Sequence, residues 1–272
     1  VLLPCEMVHQ PEGERLIVVV PTLASTKPLI TAYRSIKVRN KPELRVYYPH
    51  EVNEEEVELK EFEEKLKEAS AVLIDVRGGG KVEEVLHRAL KGENKVVVTL
   101  IGSPKLMSLT RLGSFTMEKF SEKFEEDSRL STEELYKRAR RIQSIIEIAG
   151  RLPIASLRDA RNYVKVLKYY SYGGEENYRN MFITVLRYLG YELPEPGEPE
   201  ERHEIGVYHP KLGFLREPLP NEEKPSVGVL IYGGMHFDQC VPPLKALVER
   251  LENLGVSVTP VYVESTTKTL EG

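Results

Sequence analysis

Ala71-Val72-Leu73-Ile74-Asp75-Val76-Arg77-Gly78-Gly79-Gly80-Lys81 decides the fold. Its first half is an apolar run that does not alternate with polar residues, as expected of a strand covered on both faces of a parallel sheet. The glycines that follow suit a tight turn, and Val82, Val85, Leu86 and Leu90 then recur at helical spacing. The same strand–turn–helix pattern extends in both directions. Leu16–Val20, Glu43–Tyr48 and Lys95–Ile101 read as further strands, and Leu59, Phe62, Leu66 and Ala69 mark a helix between two of them. Strand centres near Val18, Val46, Leu73 and Val97 lie 28, 27 and 24 residues apart, which is the length of a βα unit.

These observations predict an α/β protein whose first domain, residues 1–128, is a flavodoxin-like parallel sheet. Residues 129–192 change character and read as a helical subdomain. A capping-box pattern at Ser131 and Glu134 opens one helix, Ala160, Tyr163, Val164, Leu167 and Tyr170 mark a second, and Tyr178–Leu189 forms a third. Residues 193–225 hold seven of the 18 prolines and read as a linker. Val227–Tyr232, a helix stripe opened by Pro242 and Pro243, and Val256–Val263 predict the start of a second, Rossmann-like α/β domain over 226–272.

Composition narrows the function classes. The 272 residues carry 38 basic and 42 acidic side chains, a net charge of −4, which does not suit a general nucleic-acid binder. No apolar run is long enough to span a bilayer, and no signal peptide opens the chain. Cys5 and Cys240 cannot make a disulfide framework, so a cytoplasmic protein is expected. The start at Val1 and the end after an apparent strand suggest a piece of a longer protein.

Four stretches could carry chemistry. The turn Asp75–Lys81 is either a simple βα connection or a binding turn at the carboxyl edge of the sheet, where freed amides suit an anion. It is neither a Walker motif nor a GxGxxG fingerprint. Tyr169–Asn180 combines four tyrosines, the pair Gly173-Gly174, and Asn177 and Asn180 three apart; it is either a helix corner with core tyrosines or a surface for a flat ligand. His209 before Pro210 is either a hydrogen-bonded structural residue or a ligand-facing one. His236 and Cys240, with Asp238 between them, have metal-ligand spacing if helical, but the neighbouring glycines and prolines predict a loop.

Four segments, in order, resemble the N-terminal part of the large subunit of cobaltochelatase (CobN) and the H subunit of magnesium chelatase. They are Val76–Gly80; Tyr172-Gly173-Gly174-Glu175-Glu176-Asn177 with Asn180; Gly206-Val207-Tyr208-His209-Pro210; and Pro225–Tyr232 followed by Leu247–Gly255 and Val261–Ser265. The chain departs from the family pattern at Gly233–Cys240. The resemblance implies an ATP-dependent chelatase that inserts a divalent metal into a tetrapyrrole, with cobalt into a corrin ring as the leading case. It implies a corrin or porphyrin substrate and cobalt or magnesium as the metal inserted. It also implies AAA+ partner subunits that use ATP and Mg, and no tightly bound cofactor. It assigns ring contacts to Arg77, Gly79, Tyr172, Gly174, Asn177, Tyr208 and His209. His209 and His236 are candidate proton acceptors for the pyrrole nitrogens, and His236 with Cys240 is a weaker metal pair. By this reading the piece supplies part of the ring enclosure and is inactive alone. Two alternatives remain open: a docking scaffold for the AAA+ subunits without ring contacts, and a flavodoxin-like enzyme holding a flavin or nucleotide at Gly78–Gly80.

Overall fold

The computed structural model describes residues 15–22, 26–118, 155–201, 205–216 and 224–263, with the Met235 side chain left aside. Four parallel strands, β1 (Leu16–Val20), β2 (Glu43–Val46), β3 (Ala71–Asp75) and β4 (Val96–Ile101), alternate with helices α1 (Lys27–Ser35), α2 (Pro49–Asn53), α3 (Leu59–Glu68) and α4 (Lys81–Leu90). A short helix α5 (Pro104–Met107) leads into an antiparallel hairpin, β5 (Arg111–Leu112) and β6 (Phe115–Thr116). The spatial order is β2-β1-β3-β4-β5-β6. The chain therefore reverses direction across the sheet between β1 and β3, which is the flavodoxin-like switch point.

Burial explains the apolar runs. Ile17 and Val19 of β1 face one core layer, with Leu73 and Val98; Leu16, Val18 and Val20 face the other, with Ile74 and Val97. Both faces are covered, so neither can be polar. Phe62 and Leu66 of α3 and Val82, Val85 and Leu86 of α4 close the second layer.

The first layer corrects the predicted organisation. Helices α6 (Ala155–Tyr172) and α7 (Glu175–Tyr188) do not stand apart as a helical subdomain. Tyr163, Tyr169, Tyr170, Met181 and Phe182 are buried in the same cluster as Ile17, Leu73 and Val98, and α7 packs on α1. Two helices this apolar need a large surface to cover, and the open face of the sheet provides it. The predicted helix from Ser131 lies outside the described residues.

The proline-rich stretch is also more than a linker. Within it, β7 (Ile205–His209) and β8 (Gly213–Leu215) form a hairpin, with Tyr208 opposite Phe214 and His209 opposite Gly213. Its three-residue loop ends at Gly213, whose φ of +80° few other residues adopt readily. This hairpin joins β9 (Ser226–Tyr232) and β10 (Ser257–Val263) in a second sheet of order β8-β7-β10-β9, with β9 and β10 parallel. The second unit thus begins near residue 205, ahead of the predicted 226. Between β9 and β10, a 3₁₀ turn (Gly234–His236) runs into α8 (Phe237–Asn253). The predicted loop at 236–240 is therefore helical, and Pro242 and Pro243 lie inside α8 rather than opening it. Among the described residues no helix is long and apolar enough to cross a membrane.

Phe182, fully buried between α1 and the sheet, tests this shared core through its edge contact with Tyr33. Phe182→Ala should cost about 3–5 kcal/mol. In denaturant, far-UV dichroism and tyrosine fluorescence should shift together for the first unit; separate transitions for its helices and its sheet would contradict a common core.

Candidate functional site

The carboxyl ends of β1 and β3 meet at the switch point, where open α/β sheets present ligand crevices. Thr22 Oγ1 donates to the Asp75 carbonyl at 2.7 Å. The Asp75 side chain is 1% exposed and accepts a hydrogen bond from the Tyr170 hydroxyl at 2.8 Å. Arg77 Nε lies 3.4 Å from the other carboxylate oxygen. The 3₁₀ turn of the second unit packs against α6, and His236 lies within electrostatic reach of both Arg77 and Asp75. Burial lowers the His236 pKa, Arg77 lowers it further, and Asp75 opposes them. Burial and the Asp75 charge push the Tyr170 hydroxyl well above its ordinary pKa. The cluster therefore offers a proton-holding tyrosine, a fixed carboxylate, a half-exposed guanidinium and an imidazole biased towards its neutral form.

The turn Gly78–Gly80 does not leave a helix N-terminus open. Asn53 Oδ1 accepts from the Val82 amide at 3.0 Å, plugging the start of α4. Gly80 has φ +118°, and a Cβ there would lie 2.7 Å from Asn53 Oδ1, so this glycine serves the plug. An amide that a nucleotide phosphate would use is already engaged, and Glu83 and Glu84 in the first turn of α4 add negative charge. The flavin or nucleotide reading has no support here. Gly79 is exposed on the turn.

The same 3₁₀ turn borders a cleft in the second unit. Tyr208, Phe214, Phe237 and Tyr262 line a cleft of about 430 Å³ with Glu201 and Asp238 among its polar residues. The rings touch one another: Tyr208 meets Phe237 edge-on at 4.9 Å, Phe214 stacks on Phe237 at 5.4 Å, and Phe237 meets Tyr262 at 5.4 Å. Phe214 is nevertheless 60% exposed. Gly206 makes room for Tyr262, because a Cβ there would lie 2.6 Å from Tyr262 Cζ. An exposed aromatic supported by a packed cluster is suited to the face of a flat apolar ligand. Gly234 of the turn lines this cleft, so one short turn borders both the aromatic cleft and the switch-point cluster.

Several predicted site residues serve the fold. Asn177 is buried: its Nδ2 donates to the Gly173 and Glu200 carbonyls at 2.9 and 3.0 Å, and its Oδ1 accepts from the Glu200 amide at 2.9 Å. It pins the chain after α7 to the α6–α7 corner and presents nothing to a ligand. Gly174 is buried at φ +87° as the N-cap of α7, and Gly173 at φ +68° precedes it. His209 is 2% exposed: Nδ1 accepts from the Lys211 amide, leaving Nε2–H to donate to Glu252 Oε1 at 3.0 Å. With both ring nitrogens engaged, His209 is a structural residue of the hairpin rather than a proton acceptor. Tyr172 is half-buried at the end of α6. Cys240 lies on α8, and among the described residues no three His, Cys, Asp or Glu side chains gather as a metal site. Sequence reading missed Phe214, Phe237 and Tyr262. The Gly213 turn after Tyr208 was the available signal for the hairpin that carries Phe214.

Comparison with known proteins adds the family. Residues 16–169 match the model of a domain of unknown function, DUF3479, and residues 167–272 match that of CobN/Magnesium Chelatase. Over more than half of its length, residues 16–169, the chain belongs to the DUF3479 family, and its remaining matched segment is similar to CobN/Magnesium Chelatase. The uncharacterised protein MJ0908 of Methanocaldococcus jannaschii is 27% identical over 113 residues, which are 38% of this chain and 9% of that protein. The catalytic subunit of cobaltochelatase from Mycobacterium tuberculosis aligns with 95% of this chain and 17% of its own, at 19% identity and a TM-score of 0.40. The chain thus spans a minor part of the length of both.

Two outcomes test these assignments. Asn177→Ala should destabilise the protein by about 1–2 kcal/mol, because it strands the buried Gly173 carbonyl and releases the Glu200 backbone; a denaturant midpoint unchanged from wild type would contradict the role. His236, with its folded pKa below the ordinary 6.5, binds fewer protons folded than unfolded. Its contribution to stability is complete above pH 6.5 and is lost as pH falls below that value. His236→Gln should flatten the fall in melting temperature between about pH 7 and 5; an unaltered slope would contradict it.

Proposed function

We propose that this chain is part of the large, tetrapyrrole-binding subunit of a divalent-metal chelatase, cobalt into a corrin ring in the first instance. The observation that carries the reading is that the segment matching CobN/Magnesium Chelatase contains the aromatic cleft of Tyr208, Phe214, Phe237 and Tyr262. A tetrapyrrole is broad, flat and largely apolar, and it exceeds a cleft of about 430 Å³, so one edge of the ring would lie on Phe214 while the remainder contacts other parts of the subunit. Within electrostatic reach of His236 in the 3₁₀ turn, Arg77 suits an anionic arm of the ring, and Gly79 and Tyr172 are proposed as further contacts. Metal insertion requires that pyrrole protons leave, and the neutral imidazole of His236 is the proton acceptor this chain offers. ATP hydrolysis falls to AAA+ partner subunits, in keeping with a sequence that has no P-loop. The piece alone is not expected to insert metal.

The test is a titration with a metal-free porphyrin and a metal-free corrin, followed by ring absorbance and tyrosine fluorescence. Tryptophan is absent, so tyrosine emission reports directly. Phe214→Ala, at an exposed position, should weaken ring binding roughly tenfold and leave the melting temperature within a few degrees. Preference for the corrin supports the cobalt branch and preference for the porphyrin the magnesium branch. Retention of AAA+ subunits with no binding of either ring would overturn the reading in favour of a docking scaffold.

A further inference from the structure

The amino edge of the first sheet, opposite the switch point, gathers positive charge that the chelatase reading does not use. Arg15 precedes β1, Ser70 precedes β3, Asn94 and Lys95 precede β4, and Arg111 lies on β5. All five border one cleft of about 410 Å³, with the Tyr188 side chain among its walls. Among the described residues no carboxylate lines it, although the chain as a whole carries more acid than base.

Helix termini account for part of this arrangement. In a parallel α/β layer the helices end at the amino edge, where their last carbonyls lack partners. Arg15 Nη1 donates to the Leu189 carbonyl at 2.6 Å, just past α7, and its guanidinium lies over the Tyr191 ring. Lys95 Nζ donates to the carbonyls of Leu66 and Lys67 near the end of α3, at 3.1 and 2.6 Å. These bonds leave guanidinium donors unspent, since Arg carries five. Arg111 caps no helix; its Nη1 donates to the neutral Asn94 Oδ1 at 3.2 Å. Among the described residues, the acids beside these cations are engaged or exposed: Glu43, whose amide donates to the Arg15 carbonyl, holds Arg45 with its carboxylate. Glu93 lies 3.8 Å from Lys95 on the exposed side. Asp159, behind Tyr188 and Gly113, is occupied by Ser114 and Tyr188 and neighboured by Arg158. The Lys95 ammonium is mostly buried, which lowers its pKa and raises the gain from a bound counter-charge.

The geometry points to a binding site for the phosphoryl group of a small phosphate monoester at this cleft, held by the guanidinium groups of Arg15 and Arg111 with the Lys95 charge beside them. Three cations exceed what one carboxylate would neutralise, and a phosphoryl group near pH 7 carries about −1.5 to −2 charge and three acceptor oxygens. Two guanidinium forks suit bidentate contact with it. The Ser70 hydroxyl adds a neutral donor, and the wall of Tyr188, Leu189 and Val96 leaves room for an organic substituent.

Calorimetric titration of the 272-residue chain with inorganic phosphate and with phenyl phosphate, at low salt, tests the site. Both should bind, with a dissociation constant at or below about 1 mM for the tighter ligand. Phenyl phosphate should be the tighter if the apolar wall is used; equal affinity would mean that free phosphate is the ligand chemistry. Arg111→Gln, whose side chain leaves only one bond to Asn94, should weaken binding about tenfold. Glu93→Gln should tighten it severalfold, and Lys211→Gln, on the second sheet, should change nothing. The absence of binding at about 10 mM, or equal losses in Arg111→Gln and Lys211→Gln, would overturn the proposal.

Discussion

The hydroxyl of Tyr170 donates to the carboxylate of Asp75 across 95 residues of sequence, inside a core that excludes water. A carboxylate buried at the end of a parallel strand is costly unless it is bonded. This bond satisfies Asp75, orients it towards Arg77, and fixes α6 over the carboxyl edge of β3. The corner Gly173-Gly174 then turns the chain back as α7, and Asn177 holds the segment that leaves α7. Against α6 packs the 3₁₀ turn that opens α8. The helix against which the 3₁₀ turn of the second unit packs is therefore held over the switch point by a hydrogen bond to the first sheet.

The parallel sheet was legible because its strands are covered on both faces, which leaves uninterrupted apolar runs with little local ambiguity. Val18, Leu73 and Val97 mark strand centres in the sequence and lie buried in the structure. The helices after residue 155 were legible as helices but not as a face of that sheet, because a stripe of Tyr163, Val166 and Tyr170 is the same whether it meets a sheet or another helix. Residues 205–215 were hidden by composition: prolines on either side masked a short hairpin whose two strands have few residues each. The start of α8 was hidden too, since Gly233 and Gly234 argue for a loop while a 3₁₀ turn uses them to begin a helix.

The candidate site divides in the same way. Polar residues in motifs are conspicuous in sequence, yet Asn177 and His209 use their polar atoms to bind backbone and a neighbouring side chain. The aromatic residues that border the cleft come from β7, β8, α8 and β10, and no local spacing links Phe214 to Tyr262. Their proximity is a property of sheet order, in which β7 lies between β8 and β10. The turn Gly234–His236 joins this apolar surface to the charged one at Asp75 and Arg77, so a ligand with a flat body and an anionic arm would find both chemistries beside one short element.

A structure of the chain co-crystallised with a metal-free tetrapyrrole would test this account most directly. The account predicts a ring edge against Phe214 and Tyr208, with an anionic arm towards Arg77 and His236 facing the ring nitrogens. A ring bound elsewhere, with the aromatic cleft unchanged and Arg77 still turned to Asp75, would contradict it.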